Sequence, residues 1–211
     1  LTRYSSKSWR AFQPDAPRGA PVVDRATVAA PRVAAGRGPC RILGLDPGSL
    51  RTGFGIIDIR GPDMGCVVHG RIEVKGASLA QRMARIHAGV SELLERYAPD
   101  EIAVERVFVN KNIDSALKLG QARGAALAAL GVDSVVFEYA PRAIKLAAVG
   151  FGAADKVQVA HMMRQLLRID GILTPDASDA LAVAVCHAQT RRLAALVAAP
   201  DVAPLASAGR R

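Results

Sequence analysis

The chain has no apolar run near the ~18 residues that a membrane-spanning helix requires, so no such helix is expected. It has only three cysteines, Cys40, Cys66 and Cys186, and none sits in a CxxC pair. An odd, unpaired set argues against a disulfide framework or a thiolate zinc site and fits a reducing compartment. The four histidines, His69, His87, His161 and His187, are scattered without ligand spacing. Each is therefore expected on the surface or in the core rather than on a metal. No internal repeat is evident.

What is present is an ordinary globular balance. Of 211 residues, 50% are apolar and 22% charged, enough to bury one core and too apolar for a wholly disordered chain. Lys and Arg total 28 against 19 Asp and Glu, a net charge of +9 that points toward a polyanionic partner. Position narrows that meaning. Residues 1–40 hold seven basic side chains (Arg3, Lys7, Arg10, Arg18, Arg25, Arg32, Arg37) against Asp15 and Asp24. Residues 191–211 hold Arg191, Arg192, Arg210 and Arg211 against Asp201. Both segments are rich in Ala, Pro and Arg without sustained periodicity, so residues 1–40 and 191–211 are expected to be disordered tails around a domain at 41–190. The first segment superficially fits a transit peptide. With no apolar h-region or clear amphipathic helix, a fragment or an over-extended start is the expected explanation.

Within 41–190 the periods alternate. Ile42–Leu45 is a buried strand ended by the turn Asp46-Pro47-Gly48, and 53–59 and 66–74 read as a hairpin about Gly61-Pro62-Asp63. Gly53 and Gly55 weaken such a strand unless something approaches its backbone closely. Leu79, Met83, Ile86, Val90, Leu93, Leu94 and Tyr97 recur at helical spacing, and the helix stops before Pro99. Strand 102–104, an Ala/Gly-rich helix over 113–130, strand 135–137 and two or three helices at about 141–148, 155–168 and 176–195 follow. This order predicts an α/β fold, a mixed five-stranded sheet with an antiparallel edge hairpin, flanked by helices.

The chemistry-bearing residues lie at element ends. Asp46 and Glu105 each close an apolar run, where a carboxylate is costly unless paired or metal-bound. If their strands are parallel neighbours, both fall on the edge where open α/β sheets place ligands. Thr174 reads as an N-cap and Pro175 as a first helical residue, which sets Asp176 and Asp179 on one face of a buried helix. Singly, each acid has a structural explanation: turn chemistry for Asp46, an arginine partner for Glu105, the helix dipole for Asp176. Jointly, four converging acids need cations, and hard oxygen donors select Mg²⁺, with Mn²⁺ able to substitute. Lys156 stands in a first helical turn, where the dipole opposes a cation unless an anion is near.

Ile42-Leu43-Gly44-Leu45-Asp46-Pro47-Gly48-Ser49, Glu105-Arg106-Val107-Phe108, Lys111-Asn112 with Asp114 through Gly124, and Asp176-Ala177-Ser178-Asp179-Ala180-Leu181-Ala182 resemble the motifs of the RuvC Holliday-junction resolvases in order and spacing. The resemblance covers roughly 41–190. It implies a ribonuclease H-like fold and a cytoplasmic, homodimeric endonuclease that resolves four-way junction DNA in recombination and repair. The implied catalytic acids are Asp46, Glu105, Asp176 and Asp179, holding two Mg²⁺ per subunit. Some relatives carry His at the Asp176 position. Two-metal hydrolysis would give paired symmetric nicks with 5′-phosphate and 3′-hydroxyl ends. The resemblance also implies Phe108 as a wedge in the junction, DNA contacts by Arg106, Lys111, Asn112, Lys118, Lys145 and Lys156, and RuvA–RuvB as a branch-migration partner. Gly120 and Gly124 permit close helix approach, either to the chain's own sheet or across a dimer.

Two other functions compete. The Asp46-Pro47-Gly48-Ser49 turn also suits an actin-like or sugar-kinase-like ATP-binding protein, though 211 residues leave no room for the second domain of those folds. A non-catalytic junction-binding protein would use the same acids for stability alone. Once the four site acids are set aside, residues 41–190 hold 17 basic side chains against 12 acidic.

Overall fold

The computed structural model describes residues 38–74, 78–106, 113–131 and 134–197. Three strands come first: β1 (Cys40–Asp46), β2 (Arg51–Arg60) and β3 (Asp63–Glu73). Helix α1 (Leu79–Tyr97), β4 (Glu101–Glu105), α2 (Ile113–Ala128) and β5 (Val136–Tyr139) follow. Helices α3 (Pro141–Val149), α4 (Lys156–Leu167) and α5 (Pro175–Val197) complete the described chain. The sheet order is β3-β2-β1-β4-β5, antiparallel across β3, β2 and β1 and parallel across β1, β4 and β5. The expected mixed five-stranded sheet and edge hairpin are both present, and Gly61 takes the left-handed conformation in the hairpin turn (φ 60°).

Strand parity sorts the core into two layers. Leu43, Leu45, Ile56 and Val104 pack against α1 and α2. Ile42, Ile57 and Ala103 face α3, α4 and α5. Because β1 and β4 are covered on both faces, they read as continuous apolar runs. Helix α1 begins at a capping box, in which Ser78 accepts from the Gln81 amide and the Gln81 side chain accepts from Ser78, and it ends at left-handed Ala98 before Pro99. Helix α4 carries the equivalent box, Asp155 with Gln158.

Helix α5 lies against the sheet on a floor of glycines. A Cβ at Gly44 would stand 2.2 Å from the Ala180 carbonyl oxygen, and one at Gly53 2.0 Å from that of Asp176. One at Gly55 would strike the Leu181 side chain at 2.6 Å. Gly44 and Gly55 are cross-strand partners, and Gly53 is the partner of Asp46. The helix backbone therefore touches the strands, the close approach that glycines inside a strand suggest. Helix α5 also runs to Val197, past the domain end expected at residue 190. Arg191 belongs to the core rather than to a charged tail, since it is buried and its Nε donates to Glu101 at 3.1 Å.

Candidate active site

Asp46 ends β1 and Glu105 ends β4, and the parallel register pairs Leu45 with Val104. The two carboxyls thus emerge side by side at the same sheet edge, with even-numbered β1 residues and odd-numbered β4 residues facing α5. Thr174 caps the start of α5, its Oγ1 accepting from the Ala177 amide at 3.4 Å, with Pro175 as first helical residue. The glycine floor beneath that first turn brings Asp176 and Asp179 over the ends of β1 and β2. Asp46, Glu105 and Asp179 line one cavity of ≈ 250 Å³ with Lys145 of α3 and Lys156 of α4.

Crowding these acids has an electrostatic cost. Burial, followed by the charge of Asp179, pushes Asp46 well above the ordinary carboxylate range. Burial, then the charge of Asp46 and the hydrogen bond between the two carboxyls, does the same to Glu105. Cations offset the rest. Lys156 Nζ donates to Asp179 Oδ2 at 2.7 Å, which raises the lysine further. That carboxylate is the anion its first-turn position called for. Arg71 Nη1 stands 3.9 Å from Asp176 Oδ2.

Each acid is thus drawn to a proton or a basic side chain. Among the described residues, no three carboxyl, imidazole or thiol groups form a closed cation shell. The donor chemistry nonetheless fits a hard divalent cation: the groups are all carboxylate, and burial and mutual repulsion penalise two of them when ionised. A bound cation relieves that penalty.

The remaining expected DNA contacts divide. Lys145 lines the cavity, whereas Arg106 falls on the other face of the sheet and pairs with Glu138 at 3.7 Å. Lys118 bonds Asp114 one turn earlier on α2, at 2.6 Å on the exposed surface. Phe108, Lys111 and Asn112 lie outside the described residues. Two features had no expectation attached. One is Arg71, whose place depends on strand register. The other is a buried chain in which His187 Nε2 bonds Glu101 at 2.6 Å and its Nδ1 bonds the Tyr139 hydroxyl at 2.7 Å. The scattered spacing of the histidines places His187 only in the core or on the surface. The signal that could have marked its partner is Glu101, an acid opening an apolar strand.

The comparisons with known proteins bear on the same residues. A family model described as "Crossover junction endodeoxyribonuclease RuvC" matches residues 42–187. A protein of that name from Vibrio cholerae is 49% identical over 170 residues, 80% of this chain and 97% of that protein. One from Xanthomonas axonopodis pv. citri is 54% identical over 157 residues, 73% of this chain and 90% of that protein. Among solved structures, Thermus thermophilus RuvC in complex with a Holliday junction substrate superposes with a TM-score of 0.68 at 33% identity, covering 74% of this chain and 97% of that one. The yeast mitochondrial Holliday junction resolvase, at 14% identity and a TM-score of 0.55, shares the fold.

Proposed function

The chain belongs to the RuvC family of crossover junction endodeoxyribonucleases, and from that premise we propose that it resolves Holliday junctions by paired, symmetric hydrolytic nicks. The observation that carries the reading is the convergence of Asp46, Glu105 and Asp179 with two lysines in one cavity at the sheet edge. Neither an ATP-binding protein nor a non-catalytic junction binder is supported by the family to which the chain belongs.

Asp46, Glu105, Asp176 and Asp179 would hold two Mg²⁺ ions. When bound, these supply an activated water and charge stabilisation for the leaving 3′ oxygen, giving 5′-phosphate and 3′-hydroxyl ends. The chain's own side chains do the positioning. Carboxylates alone repel a phosphodiester, and Lys145 and Lys156 reach into the same cavity to draw one in. The glycine floor fixes the two helix acids against the strand acids, so the donor set is built on regular elements rather than loops. Phe108 as a wedge, and Arg106, Lys111, Asn112 and Lys118 as backbone contacts, rest on the family likeness.

A homodimer is part of the proposal. Ile113 and Leu117 are exposed on α2 and line a groove with Ala116, Gly120 and Gln121. Among the described residues, a Cβ at Gly120 or Gly124 would meet nothing within 4 Å, so these glycines do not serve packing on the chain's own sheet. A two-fold partner seated there gives two equivalent sites for two equivalent strands. A cytoplasmic location and a RuvA–RuvB partner extend the reading by family likeness. No helix among the described residues is long and apolar enough to cross a membrane.

Cleavage of a synthetic mobile junction with and without Mg²⁺, with both cut strands mapped, tests the proposal. Metal-dependent nicks at matching positions on opposed strands are expected. Unpaired cuts, or equal cutting of linear duplex, would replace it with a general nuclease.

A further inference from the structure

Arg71 is a third basic group beside the cluster, after Lys145 and Lys156. It lies on β3 directly opposite Gly53 of β2. Paired residues share a face of the sheet, and the Gly53 position faces the start of α5, where a Cβ would meet the Asp176 carbonyl oxygen. Arg71 therefore rises on the α5 face beside a neighbour with no side chain, and its stem has room to cross toward the helix. Its Nη2 is 2.5 Å from Glu73 Oε1, and its Nη1 is 3.9 Å from Asp176 Oδ2. Glu73 stands two residues on and shares that face. It anchors one arm of the guanidinium and leaves the other directed at the cluster.

We propose that Arg71 is a phosphate-contacting residue that holds the junction backbone at the Asp176 end of the carboxylate cluster, as Lys156 is placed to do at the Asp179 end. The inference rests on the resolvase reading above. At 3.9 Å the Asp176 carboxylate attracts the guanidinium without forming a hydrogen bond to it. The arm facing the cluster thus keeps its N–H donors for another oxygen, and the side chain is still 35% exposed. A guanidinium presents a planar fork that suits phosphate oxygens, and it is always charged. Each helix acid thus has its own cation, Lys156 for Asp179 from α4 and Arg71 for Asp176 from β3. A phosphate backbone laid across the acids meets positive charge beside both.

The test is binding of the full chain to a fluorescent synthetic four-way junction in EDTA, across a series of NaCl concentrations. Arg71→Ala and Arg71→Gln should bind roughly three- to tenfold more weakly near physiological salt, and the slope of log affinity against log salt should shrink by about one. Arg71→Lys should restore the slope. Arg60→Ala, the same charge change at the far end of β2, should leave it unaltered. Glutamine keeps much of the stem and remains the test if alanine unfolds the chain. Wild-type affinity and slope in the Ala and Gln variants, an equal loss in Arg60→Ala, or failure of lysine to restore the slope would overturn the inference. Wild-type protein that does not cut the junction on addition of Mg²⁺ would remove the resolvase reading itself. A cutting wild type with indifferent Arg71 variants would remove this inference alone.

Discussion

Asp46 and Glu105 end adjacent parallel strands, and the difficulty of ionising both sets how the protein responds to pH. Burial, then Asp179, pushes Asp46 up to about 6, and burial, then Asp46, pushes Glu105 up to about 7. A carboxyl whose pKa rises on folding stabilises the folded state while protonated, and that contribution is lost as pH climbs through the folded value. His69, lowered by burial, works the other way below its ordinary 6.5, so a His69→Gln background removes that opposing contribution. In that background and with EDTA, the urea midpoint should fall between about pH 6 and about pH 8, and Mg²⁺ should reverse the trend by favouring the ionised carboxylates. A flat or rising midpoint in EDTA would contradict the coupling. Lys156 belongs to the same scale. Lys156→Ala should slow cleavage by roughly 10²-fold while junction binding weakens less than about tenfold, if its proposed target is the reacting phosphate. Single-turnover cleavage beside equilibrium binding separates the two effects.

At the scale of elements, β1, β2 and α5 make the site by touching. Gly53→Ala would drive a methyl into the Asp176 carbonyl. Stability should fall by about 1–3 kcal/mol, and cleavage should fall further as the first turn of α5 lifts from β1. Denaturant melts with cleavage assays check both, and an alanine variant with normal stability and rate would show that the close approach is dispensable. The chain Tyr139–His187–Glu101–Arg191 pins the other end of α5 to β4. Burial alone would raise Glu101, but hydrogen bonds from His187 and Arg191 hold it below its usual range. With that carboxylate ionised it can only accept, so Nε2 of His187 donates to it while Nδ1 shares a hydrogen bond with the Tyr139 hydroxyl. Glu101→Ala removes the acceptor shared by His187 and Arg191 and should lower the urea midpoint, and an unchanged midpoint would contradict a structural role for this chain. Much of this was legible in the sequence. Apolar runs marked β1, β4 and β5, helical spacing marked α1, and Gly53 and Gly55 announced a close neighbour. The identity of that neighbour was not legible, because strand register and helix placement are set by contacts distant in sequence. For that reason Arg71 reads in the sequence as one more basic residue on an alternating edge strand. The direction of Arg106 was also hidden until β4 acquired a parity relative to α5.

At the scale of the molecule, the net charge of +9 says less than its placement. Lys145, Lys156 and Arg71 gather around the acids, whereas Arg191, expected in a basic tail, is buried against Glu101. Composition could not show this, because helix α5 continues past residue 190 with alanine and leucine that read equally well as low-complexity tail. The exposed face of α2 carries the proposed two-fold contact. Leu117→Asp should convert a dimer to monomer by sedimentation velocity and turn paired nicks into single ones, and an unchanged dimer would move the interface elsewhere. The central claim is that the four acids perform the chemistry rather than hold the DNA. Side-by-side measurement of junction binding and Mg²⁺-dependent cleavage by Asp46→Asn tests it most directly. Cleavage should be lost by about 10³-fold or more while binding stays equal or tightens, since removing negative charge does not weaken attraction for phosphate. An Asp46→Asn protein that still cuts, or one that loses binding together with cutting, would contradict the account.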